Sequence, residues 1–129
     1  GYKMEIESLV GEVLTHIDDF SSDGIMLTTE SGRKIHITHH QDCCESVGIV
    51  GLDGEWKNLI GKVLVDVSEE VECGGDQYDY EGTNEDYIGE SWTKTALKFR
   101  VNDATVISRW IGTSNGYYSE HVDFDEIGE

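Results

Sequence analysis

Residues 8–14 read Ser-Leu-Val-Gly-Glu-Val-Leu, and residues 58–64, fifty positions later, read Asn-Leu-Ile-Gly-Lys-Val-Leu. Each copy begins with a polar residue suited to a helix N-cap and continues through a short turn that ends at a glycine. Alternating side chains follow, which is the period of a β-strand with one buried face. The chain is therefore predicted to contain two copies of one structural unit.

Each unit is expected to hold three strands. They are residues 13–20, 24–29 and 34–38 in the first unit, and residues 62–71, 92–101 and 105–111 in the second. Turn residues at 30–33 and 102–103 predict a hairpin in each unit. The fold is predicted to be mainly β, an α+β chain with short helical turns, whose two β-β-β units form an antiparallel sheet or sheet pair. The alternative is that the two matches arise by chance from common strand residues.

The acidic residues mark one insertion within a single predicted domain, residues 1–129. Ten acidic residues and no Lys or Arg lie between positions 66 and 90. Residues 72–90 are also rich in Gly and Tyr, which predicts a long exposed loop inserted into the second unit. The repeat then spans roughly residues 8–47 and 58–122.

The net charge of −18 restricts the partners of this 129-residue chain. Such a chain repels nucleic acid and attracts a basic protein surface, although it could simply be well solvated. No run of about 18 apolar residues and no signal peptide is visible, so we expect no membrane segment. Three cysteines, two of them adjacent, argue against a secreted disulfide framework and for a reducing cytosol.

Residues 36–47, His-Ile-Thr-His-His-Gln-Asp-Cys-Cys-Glu-Ser-Val, contain the chemistry-bearing side chains of the first unit. The weak metal candidates are His39, His40, Cys43 and Cys44, since zinc takes four nitrogen or sulfur ligands. All four crowd into one segment, however, and adjacent cysteines do not easily bond to each other. The alternative is a packed turn with one small buried cysteine. Thiol catalysis is disfavoured because nearby acids raise a thiol's pKa. No cofactor and no enzymatic activity are expected.

The second unit supplies the best binding candidates, at residues 109–118. Arginine, tryptophan, asparagine and tyrosine recognise flat or phosphorylated ligands and recur as interface hot spots. The alternative is that Trp110 and one tyrosine fill the core while Arg109 pairs with a carboxylate. The predicted ligand- or partner-binding residues are Arg109, Trp110, Asn115, Tyr117, Tyr118, His40, Gln41 and Asp42.

The ends of the two units also correspond. Residues 42–47, Asp-Cys-Cys-Glu-Ser-Val, parallel residues 116–122, Gly-Tyr-Tyr-Ser-Glu-His-Val, with one residue extra. The equivalent of the cysteine pair is a tyrosine pair without metal ligands. We therefore predict a paired corner that ends each hairpin and tucks one side chain of each pair into the core. Any function is then expected in a surface or pocket that both corners frame.

Residues 39–47, 58–61 and 109–120, with Val122 and Phe124, resemble a small, widespread family of bacteriophage and prophage proteins of unassigned function. The resemblance spans most of the chain and departs from the family in the acidic loop. It implies an accessory protein that acts in the cytoplasm of a bacterial host. Such proteins often bind and disable host machinery, which is an association rather than a physical argument.

Three functional hypotheses follow. The first is a non-enzymatic inhibitor whose acidic surface docks, as a DNA mimic would, on a basic face of a host or defence protein of the CRISPR type. The second is a protein that sequesters a small nucleotide signal in a pocket lined by Arg109, Asn115, Tyr117 and His40, which the repeated units form or two protomers share. The third is a metal-stabilised structural module. Direct nucleic-acid or membrane binding is not expected, and a homo-oligomer is possible.

Overall fold

The computed structural model describes residues 2–21, 24–41, 43–74, 91–114 and 119–127. Two 3-10 helices, Ile6–Leu9 and Trp56–Leu59, each precede a run of strands. The strands of the described residues are β1 (Tyr2–Lys3), β2 (Leu14–Ser21), β3 (Gly24–Thr29), β4 (Lys34–Thr38), β5 (Ser46–Asp53), β6 (Asp66–Gly74), β7 (Ser91–Val101), β8 (Ala104–Ser114) and β9 (Asp123–Glu126).

These strands form two antiparallel sheets. Sheet one has the order β1-β9-β4-β3-β2, and sheet two has the order β5-β8-β7-β6. The predicted hairpins are present as the β3–β4 and β7–β8 pairs. The prediction of a mainly β chain with antiparallel strands and short helical turns is confirmed.

Each half of the chain sends its last strand into the sheet of the other half. β2, β3 and β4 stay together in sheet one, but β5, which follows them, pairs with β8 in sheet two. β6, β7 and β8 form the rest of sheet two, and β9, which follows them, pairs with β4. The sequence did not predict β5, β9 or this exchange. The exchange ties the two halves together through backbone hydrogen bonds.

The two copies of the repeated segment contact each other through matching atoms. The backbone N–H of Gly11 donates to the carbonyl of Leu64 at 2.8 Å, and that of Gly61 donates to the carbonyl of Leu14 at 2.9 Å. Both glycines have positive φ, +94° and +82°, which a residue without Cβ adopts easily. The repeat thus brings its own two copies into contact with each other.

One hydrophobic core draws on both sheets because alternate residues of each strand face inward. Trp110 is 1% exposed, and Trp56 packs edge-on against Phe99 with ring centroids 5.4 Å apart. The buried apolar residues are Ile6, Leu9, Leu14, Ile25, Leu27, Ile35, Ile37, Trp56, Leu59, Leu64, Val67, Leu97, Phe99, Val101, Val106, Trp110, Val122 and Phe124.

Two local predictions were wrong. Ser8 and Asn58 lie inside the 3-10 helices, and the cap positions are held by Glu5 and Glu55 without a side-chain cap hydrogen bond. β6 begins later than predicted and runs through Gly74, so residues 72–74 belong to sheet two and not to a loop. The expected acidic loop at residues 75–90 lies outside the described residues.

Candidate functional site

The histidine and cysteine segment after β4 is held by hydrogen bonds within the molecule. The Nε2 of His39 lies 2.7 Å from Oε2 of Glu45, and its Nδ1 lies 2.8 Å from the carbonyl oxygen of His121. The His39 side chain is 4% exposed and that of Glu45 is fully buried. Because both ring nitrogens already face protein acceptors, His39 has none left for a metal ion.

The cysteines do not behave as predicted. Cys43 and Cys44 are joined by a disulfide, contrary to the expectation that adjacent cysteines do not pair. Both are exposed, so neither is the small buried side chain that the corner was predicted to contain. The buried residue of this corner is Glu45 instead. It accepts a hydrogen bond from the backbone N–H of Cys43 at 3.0 Å, so the cysteine contributes its backbone and not its sulfur.

The second corner also buries a glutamate. Glu120, 6% exposed, accepts a hydrogen bond from Thr93 at 2.8 Å and others from Ser91 and Ser114. Burial opposes ionisation of this carboxyl, but the three hydroxyl donors outweigh burial and lower the pKa of Glu120. The two corners thus place a glutamate at the matching position and surround it with different hydrogen-bond donors.

The two corners touch each other through His39, whose ring reaches the backbone of residue 121. Next to it, the backbone N–H of His40 donates to Asp123 at 2.8 Å, and its ring contacts Asp125 on β9. Gln41 donates to the carbonyl of Glu45 at 2.6 Å. These contacts anchor the chain where it leaves sheet one for sheet two. Among the described residues, no group of three or more His, Cys, Asp or Glu side chains is arranged to hold a metal.

The predicted binding pair Arg109 and Trp110 is divided between the two faces of β8. Trp110 points into the core, where its indole N–H donates to Ser108 at 3.1 Å. Arg109 points outward, is half-exposed, and donates to Asp53 on β5 at 2.7 Å. For Trp110 and Arg109 this is the arrangement that the sequence left open as the alternative to a binding role, and of the two only Arg109 reaches solvent. The tyrosines of that alternative lie outside the described residues.

Arg109 lies in a groove on the outer face of sheet two, with a volume of about 500 Å³. Lys94 on the neighbouring strand β7 enters the same groove, and its ammonium stacks 5.1 Å from the ring of Trp92. The groove is lined by Val50, Glu70, Val71, Glu72, Lys94, Thr95, Ala96, Arg109, Trp110 and Ile111. The groove is therefore partly apolar and contains two cations and two carboxylates. These equal numbers are unusual in a chain with 9 basic and 27 acidic residues.

The strand β6 is acidic on both of its faces, because Glu69 alternates with Glu70 and Glu72, which line the groove. Glu7 of the first 3-10 helix approaches Glu69 of β6, and Glu70 and Glu72 lie on the same strand. These four residues are called the acidic edge. Burial raises the pKa of Glu69, the charge of Glu7 raises it further, and His121 opposes the shift. Burial and the nearby charge of Glu7 therefore both disfavour ionisation of Glu69.

The structure places His40 and Arg109, two of the residues that the sequence grouped into one site, at different sheets. The contacts of His40 are with β9 of sheet one, and those of Arg109 are with β5 of sheet two. Within the described residues, no contact joins them. Asp42, Asn115, Tyr117 and Tyr118 lie outside the part of the chain that the structure describes. The sequence missed Lys94, Glu45 and Glu120. The only available signal for the two glutamates was their matching position in the repeat.

The comparisons with known proteins identify a family. A family model described as a domain of unknown function, DUF7448, matches residues 7–124. No curated protein and no solved structure matches the chain. In the described part of the chain, no helix is long and apolar enough to cross a membrane. Because the family model spans almost the whole two-sheet fold, including both corners and the groove, the chain belongs to the DUF7448 family.

Proposed function

We propose that this protein is a non-enzymatic binding protein of phage or prophage type, which inhibits a bacterial host or defence protein by docking its acidic surface on a basic, nucleic-acid-binding face. The observation that carries the proposal is the charge of −18 together with the placement of four glutamates at the acidic edge. A cationic partner would stabilise the ionised carboxylates there, because an opposite charge nearby favours the ionised form.

The His-Cys segment gives no reason to prefer catalysis or metal binding. The polar atoms of His39, Gln41 and Glu45 are engaged in the corner, and the two sulfurs are bonded to each other. A bacterial CRISPR-type nuclease is the kind of target that the resemblance to phage proteins favours. The nucleic-acid channel of such a nuclease is basic, and the inhibitor would bind it in the host cytoplasm.

The test is an affinity pull-down from bacterial lysate, with binding of the recovered partner measured at about 0.05 and 0.5 M salt. Binding should weaken steeply at high salt, since the Debye length falls from about 10 Å at 0.1 M to about 3 Å at 1 M. A partner affinity that is the same at both salt concentrations would contradict the proposal.

A matched pair of variants localises the surface. Glu7→Gln with Glu70→Gln removes two exposed charges from the acidic edge, and Glu30→Gln with Glu55→Gln removes two exposed charges elsewhere. Both variants have the same net charge. The first should lose at least tenfold in affinity and the second much less. Equal losses would mean that net charge, and not this edge, recruits the partner.

The groove favours a second candidate, a protein that sequesters a small anionic ligand such as a nucleotide signal. Lys94 and Arg109 both line the groove, so they could contact one phosphate group. The test is titration calorimetry with a panel of nucleotides, comparing Arg109→Ala with Lys57→Ala, a change at an exposed basic residue outside the groove. Loss of binding in the first variant alone supports this candidate. If Arg109→Ala alters no ligand response, the candidate is excluded.

A further inference from the structure

The two edge strands of sheet two differ in charge. β6 carries Asp66, Glu69, Glu70 and Glu72, and charged side chains on an edge strand discourage pairing with another chain. At the other edge, β5 reads Ser-Val-Gly-Ile-Val-Gly-Leu-Asp, with no charge before Asp53. Among the described residues, β5 pairs only with β8, which leaves one side of its backbone open. An open, uncharged and apolar edge is the feature that natural β proteins usually avoid.

The other sheet shows how such an edge is closed. β9 is the counterpart of β5, because each is the strand that crosses into the opposite sheet. The outer side of β9 is covered by β1, which pairs Tyr2 with Glu126 and Lys3 with Asp125. Two residue pairs are enough for that ladder. Within the described residues, β5 has no strand in the equivalent position.

The side chains of β5 also suit a contact. Val50 is 63% exposed and Leu52 is 44% exposed. A register shift between Ile49 and Gly51 makes Val50 an extra residue in the strand, which turns its side chain outward. The regular part of the edge, Ser46–Ile49, is twice as long as the ladder that β1 forms.

We infer that β5 is a self-association edge, at which two copies of this chain pair their β5 strands antiparallel about a two-fold axis. A strand that pairs antiparallel with its own copy is self-complementary, and two-fold dimers are the commonest protein oligomers. A cationic partner has no reason to choose this strand, since its attraction is to carboxylates. A second copy does, because Ser46–Leu52 is the stretch at which two chains of charge −18 can approach without opposing carboxylates.

This pairing would join the two copies of sheet two into one eight-stranded sheet. The strand order would be β6-β7-β8-β5 in one copy, continuing through β5, β8, β7 and β6 of the other. Because Val50 lines the groove of Arg109, the two grooves would lie side by side across the two-fold axis. A ligand or partner too large for one groove could then contact an arginine from each copy.

Sedimentation velocity over a range of protein concentration and salt tests the inference. The monomer–dimer equilibrium should shift towards dimer as salt rises, because screening weakens the repulsion between two acidic chains. This dependence is opposite to that expected for the basic partner, so the two proposals fail separately. A protein that stays monomeric at millimolar concentration and about 0.5 M salt overturns the inference. So does a dimer that salt dissociates.

A matched pair of variants assigns the edge. Val50→Glu places a carboxylate at the end of the proposed ladder, and Val71→Glu places one on the already acidic β6. Both valines are exposed and line the groove, so the substitutions are alike in chemistry and in charge. Val50→Glu should weaken the dimer at least tenfold and Val71→Glu should not, with melting curves confirming that both fold. Equal effects would place the contact elsewhere and overturn the inference.

Hydrogen–deuterium exchange gives an independent readout on the wild-type protein. Amides of Ser46–Ile49 should become more protected as protein concentration rises, while those of β6 should not change. Protection that is independent of concentration at β5, or that grows at β6 instead, contradicts pairing through β5.

Discussion

The corners that end the two halves of the chain both surround a buried glutamate with hydrogen-bond donors, but the donor residues differ. Each buries a glutamate two positions before a valine, Glu45 before Val47 and Glu120 before Val122. The first carboxylate faces an imidazole and a backbone N–H, and the second faces three hydroxyls. The comparison teaches that each half of the chain buries a glutamate where it crosses to the other sheet, although different donors surround the two side chains. Burying a carboxylate costs free energy unless hydrogen-bond donors surround it. Each corner is therefore stable only in the conformation that brings its own donors to the glutamate.

The largest effect is expected when the link between the corners is removed. His39→Ala takes away the ring that faces Glu45 and that also bonds the backbone at His121. Leaving a buried acceptor without its donor typically costs about 1–3 kcal/mol, and more where the acceptor is charged. The free energy of unfolding, measured by urea titration, should fall by this amount. His40→Ala, at a more exposed ring, is the control. Equal losses in both variants would contradict a special role for His39.

The next prediction overpacks the second corner at Gly112 on β8. A Cβ there would lie 2.5 Å from the carbonyl oxygen of Glu120, 2.8 Å from its Cβ and 3.0 Å from Cγ2 of Val47, at the end of the first corner. Gly112→Ala should therefore cost about 2–3 kcal/mol, as overpacking does. At Gly51 an added Cβ would meet only Arg109, at 3.8 Å, so Gly51→Ala is the matched control. Equal calorimetric melting temperatures of Gly112→Ala and Gly51→Ala would show that the corner shifts to accept the added Cβ at little cost in stability.

A smaller effect tests the hydroxyl donors and their pH dependence. Thr93→Val removes one donor to Glu120 and should cost about 1.5–2 kcal/mol at pH 7. Because the pKa of Glu120 is lowered from 4.5 in the folded protein, its stabilisation is present above that value and is lost as pH falls through the folded pKa. The difference between variant and wild type should therefore shrink in acid. A difference that is constant from pH 7 to pH 3 would mean that Thr93 acts by packing alone.

The smallest effect is expected at the cysteines. Cys43→Ser with Cys44→Ser keeps the backbone N–H that Glu45 accepts and replaces only exposed sulfurs. The free energy of unfolding should change by less than about 0.5 kcal/mol, with or without reductant. A loss comparable to that of His39→Ala would show that the disulfide, and not the carboxylate, holds the first corner.

The fold was more predictable than the site, for reasons that particular residues show. The bounds of β3 and β4 follow from short-range alternation and turn chemistry, which lie within a few residues of each other. β5 was missed because its glycines and uncharged run have no clear alternation. The separation of Arg109 from Trp110 follows from strand alternation alone, once β8 is known to have one buried face. The pairing of Arg109 with Asp53 depends on β5 lying beside β8, which no local pattern encodes.

The sequence alone determined that the chain is strongly acidic and predicted that it is β-rich and carries a repeat, because composition and the period of side chains are local properties. Only the tertiary structure decided that the final strands exchange sheets, that the corners bury glutamates and that the cysteines face solvent. Those outcomes depend on which distant backbone groups pair and on which carboxylates find donors. Such pairings join residues as far apart as His39 and His121. The repeat predicted that each half of the chain ends in a corner. The packing of each corner decided which side chain it buries.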